Sequence, residues 1–114
     1  MLNQAVLVGR LTKDPEVVET ESGKKVSNIS LAIPRNYKNA EGVYETDFID
    51  ITLWNGVAEN TAEYCKKGDI VGVKGRIQAD SFEKDGEKKF VTKVIAEKLT
   101  FLTSKAKEEF EPAR

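Results

Sequence analysis

The chain has 114 residues, of which 39% are hydrophobic and 32% charged, a composition typical of one globular domain. It contains no histidine, the residue that most often serves as general acid or base and as metal ligand, so the composition disfavours an enzyme and a metal site. The net charge of −1 means that any nucleic-acid site must depend on locally clustered basic side chains.

The single cysteine, Cys65, cannot form an internal disulfide, which favours a reducing, cytoplasmic setting. No apolar run approaches the roughly 20 residues that a membrane-spanning helix needs. The first residues, MLNQAVLVGR, lack the basic region and the cleavage site of a signal peptide. We therefore expect a cytoplasmic protein without a membrane partner.

The first half of the chain predicts three strands. MLNQAVLVGRL is rich in strand-forming residues, and Pro15 follows it. In KVSNISLAI, Ile29, Leu31 and Ile33 share one face, and Pro34 should close that strand before a polar loop containing Tyr37. YETDFIDITLW alternates most clearly, because an apolar set is interleaved with a mixed set. The apolar set is Ile49, Ile51 and Leu53, and the mixed set is Phe48, Asp50, Thr52 and Trp54.

A helix and two further strands complete the predicted order. NGVAENTAEYCKKGD has helical spacing, with Asn55 as its cap and Cys65 on its apolar stripe. In IVGVKGRIQADSF, one face carries Val71, Val73, Ile77 and Ala79, and the other carries Lys74, Arg76, Gln78, Asp80 and Phe82. Asp85 and Gly86 predict a tight hairpin into KKFVTKVIAEKLTFL.

Three strands, one helix and two strands are the element order of the OB-fold. We therefore predict an all-β, five-stranded Greek-key barrel with one short helix between strands three and four. This barrel should occupy residues 1–103, and residues 104–114, which have no usable period, should form a short flexible tail.

Four aromatic residues lie in polar surroundings, where large apolar rings are unexpected. They are Tyr37, Phe48, Trp54 and Phe82. Two interpretations account for them. The rings either stack unpaired bases, beside basic side chains that hold phosphates, or cover a subunit interface.

Five segments together resemble the bacterial single-stranded DNA-binding protein family. They are VLVGRLTKDPE, SNISLAIPRNYKN, TDFIDITLWNGVAENTAEYCKKG, VKGRI and FVTKVIAEKLTFL. The resemblance implies an OB-fold, a homotetramer and sequence-tolerant binding of single-stranded DNA, without catalysis or cofactor. It also implies a role in replication, repair, recombination or DNA uptake, in the cytoplasm beside the nucleoid.

The family's binding residues carry over to matching positions. Its stacking aromatics match the four rings named above. The basic residues that remain at its contact positions are Arg10, Arg35, Lys38, Lys67 and Arg76, with Lys84, Lys88 and Lys89 as further candidates around the hairpin. Stacking thereby becomes the favoured interpretation of the rings, with interface packing as the alternative.

The chain departs from the family at several positions. Members usually carry basic residues where this chain has Val18, Gly56, Gln78 and Asp80. Asp50 also stands where members usually carry a neutral or basic residue. Asp80 should weaken phosphate binding unless it pairs with a lysine such as Lys89. The resemblance is to a short form without the family's acidic tip, which implies no recruitment of repair enzymes. The alternative function is an OB-fold module for RNA or protein with weakened affinity for DNA.

Overall fold

The computed structural model describes residues 1–104, which form one barrel with a helix at one end; its strands pair antiparallel except for β4 and β6, which are parallel. The elements in chain order are β1 (Ala5–Leu11), β2 (Val18–Glu19), β3 (Lys25–Lys38), β4 (Tyr44–Trp54), α1 (Asn55–Tyr64), β5 (Ile70–Lys84) and β6 (Glu87–Thr103). No helix among these residues is long and apolar enough to cross a membrane. Apart from Ser104, the predicted tail lies outside the described residues.

The sheet closes on itself. Its strand order is β1-β5-β6-β4-β3-β2, and β1 also pairs with β3 through Arg10–Ala32 and Leu11–Leu31. Five long strands therefore complete the barrel, and the two-residue β2 only extends the edge of β3. The predicted five-stranded OB-fold with one helix is confirmed, and the predicted strands three and four are β4 and β5.

The core is built from alternate residues of these strands. Seven apolar side chains are 0–2% exposed inside the barrel, namely Leu11, Ile29, Leu31, Ile51, Leu53, Val71 and Val73. Helix α1 covers one end with Ala58, which is fully buried. This apolar interior holds each strand in a single register, because a one-residue slip would turn the buried set outward.

The helix differs from its prediction at both ends. Trp54 is the N-cap residue, and Asn55 instead adopts φ = 50° while its Oδ1 accepts a hydrogen bond from the Lys25 amide at 3.2 Å. Cys65 lies after the helix end and not on its apolar stripe, yet it is 4% exposed. Cys65 is therefore a core residue, and its burial raises the pKa of its thiol.

Two strand pairs continue beyond the core. β3 runs past Pro34 to Lys38, contrary to the predicted end, because a register shift between these residues creates a bulge where proline is tolerated. We call residues 34–46, where β3 and β4 pair beyond this point, the β3–β4 arm. We call residues 76–95 the β5–β6 arm, and it ends at the predicted turn, where Asp85 and Gly86 have φ of 53° and 77°.

The inward face of β5 was predicted only in part. Val71 and Val73 are buried as expected, but Gly75 follows them into the core. Ile77 and Ala79 are exposed because the β5–β6 arm has already left the barrel at that point.

Candidate nucleic-acid interface

The outer face of β4 exposes two of the four predicted rings. Their neighbours Ile51 and Leu53 are at most 1% exposed, whereas Phe48 is 66% and Trp54 36% exposed. The side chains opposite them on β3 are Ala32 for Phe48 and Val26 for Trp54. Both rings therefore present surface to solvent on this face, Phe48 more than Trp54.

Polar residues separate the two rings. Thr52 was predicted on this outer face, but it is only 4% exposed and its hydroxyl donates to Asn28 Oδ1 at 3.0 Å. Asp50 is exposed opposite Ser30. A carboxylate between two rings repels a phosphate backbone that passes directly over it.

Arg10 and Lys67 lie close to this face. Arg10 pairs with Ala32, whose other neighbour is Phe48, so the three form a row across β1, β3 and β4. Arg10 Nη1 donates to the Gly68 carbonyl at 2.7 Å, which brings the neighbouring Lys67 to the same end of the barrel. The fold thus brings Arg10 together with Phe48, whereas Lys67 lies further along, at the end of this region, where its amide donates to Asp14 Oδ1 at 2.8 Å.

Phe82 lies on the β5–β6 arm. It is 49% exposed and faces Lys89 across the hairpin. A series of three hydrogen-bonded side chains, Arg76, Gln78 and Asp80, occupies the rest of this face. Arg76 Nη1 donates to Gln78 Oε1 and Gln78 Nε2 donates to Asp80 Oδ1, both at 2.9 Å. Arg76 makes no ion pair with a carboxylate among residues 1–104, so its charge is not neutralised within this hydrogen-bonded series.

Asp80 pairs with Lys93 at 2.9 Å, and Lys89 pairs instead with Glu87 at 2.9 Å. Asp80 thus pairs with a nearby lysine, as the alternative interpretation had it, but that lysine is Lys93 and not Lys89. A hydrogen bond from Lys93, and to a smaller extent one from Gln78, lowers the pKa of the Asp80 carboxyl. Asp80 therefore stays charged and neutralises Lys93.

Arg35 is held by two carboxylates. Its Nε and Nη2 donate to Asp47, the Nη2 bond being 2.9 Å, and its Nη1 donates to Glu45 at 2.9 Å. The hydrogen bonds with Asp47 raise the pKa of Arg35 and lower that of Asp47. Arg35 thus has its charge compensated on the side of the arm opposite to Phe48.

The β3–β4 arm carries two tyrosines, and only one was predicted as a site residue. Tyr37 is 59% exposed, but it belongs to β3 and not to a loop. Tyr44 is 56% exposed and pairs with Lys38, whose Nζ lies 5.6 Å from the centroid of the tyrosine ring. Because Tyr37 and Lys38 are adjacent, they point to opposite faces. The alternation of YETDFIDITLW already placed Tyr44 with Phe48, a signal that the sequence analysis missed.

The lysines predicted around the hairpin are spread over both of its faces. Lys84 and Lys89 share the face of Phe82, whereas Lys88 lies on the other face with its Nζ 5.5 Å from the ring of Phe90. Phe90 is 70% exposed and was also missed. The β5–β6 arm thus carries one aromatic ring on each side.

Comparisons with known proteins agree along almost the whole chain. The profile of the single-strand binding protein family matches residues 2–102. The chain is 48% identical over 110 residues to single-stranded DNA-binding protein B of Bacillus subtilis (strain 168), covering 96% of this chain and 97% of that protein. It is 47% identical to single-stranded DNA-binding protein 2 of Staphylococcus aureus (strain Mu50), covering 92% and 75%. It is 50% identical to the single-stranded DNA-binding protein of Halalkalibacterium halodurans, covering 90% and 61%.

Proposed function

We propose, because this chain belongs to the single-strand binding protein family, that it binds single-stranded DNA without strong sequence preference. Bases stack on exposed rings, and lysine and arginine side chains hold the phosphates. The observation that carries this proposal is the pair of open rings on the outer face of β4, Phe48 and Trp54. The function is binding, and no reaction is catalysed.

The proposed site extends from these rings over both sides of the β3–β4 arm and along the β5–β6 arm, and adds two further aromatics and five basic residues. Its residues are Tyr37, Phe48, Trp54 and Phe82, with Arg10, Arg35, Lys38, Lys67 and Arg76. Tyr37 and Arg35 lie on the side of the β3–β4 arm opposite to Phe48. The row formed by Arg10, Ala32 and Phe48 supports a path in which a base stacks on Phe48 while Arg10 contacts its phosphate. Arg35 contributes only when a phosphate displaces one of its carboxylates, since Asp47 and Glu45 already occupy its donors.

The proposal includes assembly into a homotetramer whose binding domain is residues 1–103. The valines Val6 and Val8 on the outer face of β1 support it, because they are 69% and 54% exposed in the single chain. In this assembly the protein protects single-stranded DNA during replication, repair, recombination or DNA uptake. The reduced, buried Cys65 is compatible with a cytoplasmic location beside the nucleoid.

The decisive test measures affinity for fluorescently labelled oligo-dT by anisotropy. Trp54→Ala and Phe82→Ala should each weaken binding by about 1–3 kcal/mol, the contribution of one stacked base. Tyr64→Ala is the matched control, because Tyr64 is an exposed ring at the last residue of α1 and does not belong to β4 or to the β5–β6 arm. Normal binding by Trp54→Ala or Phe82→Ala, with the circular dichroism of the wild type, would remove that ring from the site.

The second candidate is an OB-fold module for RNA or for another protein. It is favoured by the neutralised basic residues, since Asp47 and Glu45 hold Arg35 while Asp80 holds Lys93. Titration with oligo-dT and oligo-U of equal length separates the two candidates. A preference for oligo-U, or no binding of either oligonucleotide, would support the second candidate.

A further inference from the structure

We propose that Tyr44 is an additional base-stacking ring, and that Lys38 beside it holds the phosphate of the stacked nucleotide. This inference rests on the proposed function and extends its site along the β3–β4 arm. It concerns a residue that neither the aromatic pattern nor the resemblance had assigned.

The first support is the position of Tyr44 on β4. The strand runs from Tyr44 to Trp54 without interruption, so alternate side chains follow one face. Tyr44 and Phe48 are four residues apart on that face, roughly 13 Å at about 3.3 Å per residue. Tyr44 is 56% exposed, compared with 66% for Phe48, so both rings present comparable surfaces to solvent.

The second support is the surface between these two rings. Thr46 and its partner Pro34, together with Asn36 in the bulge of β3, separate the Tyr44–Lys38 pair from the Phe48–Ala32 pair. A shallow concavity of about 270 Å³ lies beside them, lined by Val8, Gly9, Arg10, Ala32, Pro34, Thr46 and Ile70. No large side chain blocks the way, so a DNA strand that stacks on Phe48 has a continuous route to Tyr44.

The third support is electrostatic. Between Phe48 and Trp54 a strand must pass the carboxylate of Asp50, but between Phe48 and Tyr44 the outer face carries no acidic group. The two carboxylates of this part of β4, Glu45 and Asp47, alternate to the other side and bind Arg35. Lys38 makes no ion pair with any carboxylate among residues 1–104, and its ammonium therefore remains available to a phosphate.

The fourth support is the stiffness of the arm. Besides the Arg35 bonds, Asn39 Nδ2 donates to Glu45 Oε1 at 3.0 Å. Asn39 Oδ1 also accepts hydrogen bonds from the amides of Glu41 and Val43 at 2.9 and 3.0 Å. This network fixes the turn immediately before Tyr44. A ring on a preorganised support loses less conformational entropy when it binds a ligand.

The test compares oligo-dT affinities of variants at several salt concentrations. Tyr44→Ala should bind about five- to tenfold more weakly with the same salt dependence, because it removes a stacking surface and no charge. Tyr44→Phe, which keeps the ring, should bind within about twofold of wild type. Lys38→Gln should reduce the slope of log affinity against log salt by about 0.7, the value for one phosphate contact on a single strand.

Two controls make the outcome decisive. Tyr64→Ala removes an exposed tyrosine from α1 and should leave affinity unchanged, while Trp54→Ala reports on the main site. Wild-type affinity of Tyr44→Ala combined with weakened Trp54→Ala would overturn this inference and leave the proposed function standing. An equal loss in Tyr64→Ala would also overturn it, because the effect would then not depend on the binding face. If the wild type binds no oligo-dT at all, the proposed function fails first.

Discussion

At the scale of single residues, carboxylates compensate basic side chains on both arms of the barrel. Arg35 and Lys93 carry the charge that a phosphate requires, but carboxylates 2.9 Å away already hold both. Exposed ion pairs of this kind contribute only about 0–1 kcal/mol to the stability of the fold, so a DNA phosphate can displace the carboxylate. These ion pairs lower the affinity for DNA, because a phosphate must compete with a carboxylate for the same hydrogen-bond donors.

We predict that Asp80→Arg tightens binding to oligo-dT. The change removes a carboxylate from the face of Phe82, adds a guanidinium and releases Lys93, so each new phosphate contact should steepen the salt slope by about 0.7. The gain should be largest at low salt, where screening is weakest. Titrations at three salt concentrations measure both quantities.

Glu83→Arg is the control for this prediction. It makes the same change in charge on the opposite face of the β5–β6 arm, beside Lys88. An equal gain from both variants would show that only the total charge matters. Equal affinities and parallel slopes for Asp80→Arg and wild type would place Asp80 outside the path of the DNA.

At the scale of elements, the bend between β5 and β6 depends on Gly75. The register shifts between Lys74 and Gly75, so Glu97 of β6 has no partner and the strands bend there. A Cβ at Gly75 would collide with the carbonyl of Ile95, which is backbone and cannot move aside alone. Of the two glycines in GVKGR, Gly72 and Gly75, only Gly75 makes this close approach.

Gly75→Ala should therefore lower the free energy of unfolding by about 1–3 kcal/mol, the usual cost of overpacking. Gly72→Ala is the matched control in the same strand, because its added Cβ would meet Leu102 Cδ1 at an ordinary 3.7 Å. Urea denaturation at one protein concentration measures both variants. Equal stability of the two would refute the role assigned to Gly75.

At the scale of the whole molecule, the single chain leaves part of β1 unpartnered. β1 pairs with β5 from Ala5 to Arg10, but with β3 only at Arg10 and Leu11. Its other edge therefore has no strand partner from Ala5 to Val8 within residues 1–104, whereas Gly9 already packs against β3. An open edge beside exposed valines favours pairing with a second copy of the chain.

Sedimentation equilibrium should show four copies at micromolar concentration. Val8→Lys should shift the protein towards smaller species, because it introduces a charge into the surface that the subunits bury. Val18→Lys is the control, since Val18 is similarly exposed at 60% but lies on β2. A stable wild-type monomer, or equal dissociation of both variants, would contradict assembly through β1.

Local patterns in the sequence determined much of this protein. The two-residue alternation assigned Ile49, Ile51 and Leu53 to the core and exposed Phe48 and Trp54, because successive strand side chains always point to opposite faces. Asp85 and Gly86 marked their turn, since both tolerate positive φ. The helix was located correctly, but its ends were not, because they depend on contacts such as Asn55 with Lys25.

Only the tertiary structure decided how charges and rings are grouped. Asp80 reaches Lys93 diagonally across the β5–β6 arm, since Lys93 lies opposite Gln78 and Val91 lies opposite Asp80. Arg35 reaches Asp47 and Glu45 from the bulge of β3, so the registers of both strand pairs set these partners. The bulge after Pro34 lengthened β3 and placed Lys38 over Tyr44, which turned a residue of an expected loop into part of a sheet face. Such pairings depend on strand register and bulges over long sequence separations, and no local periodicity in a single chain encodes them.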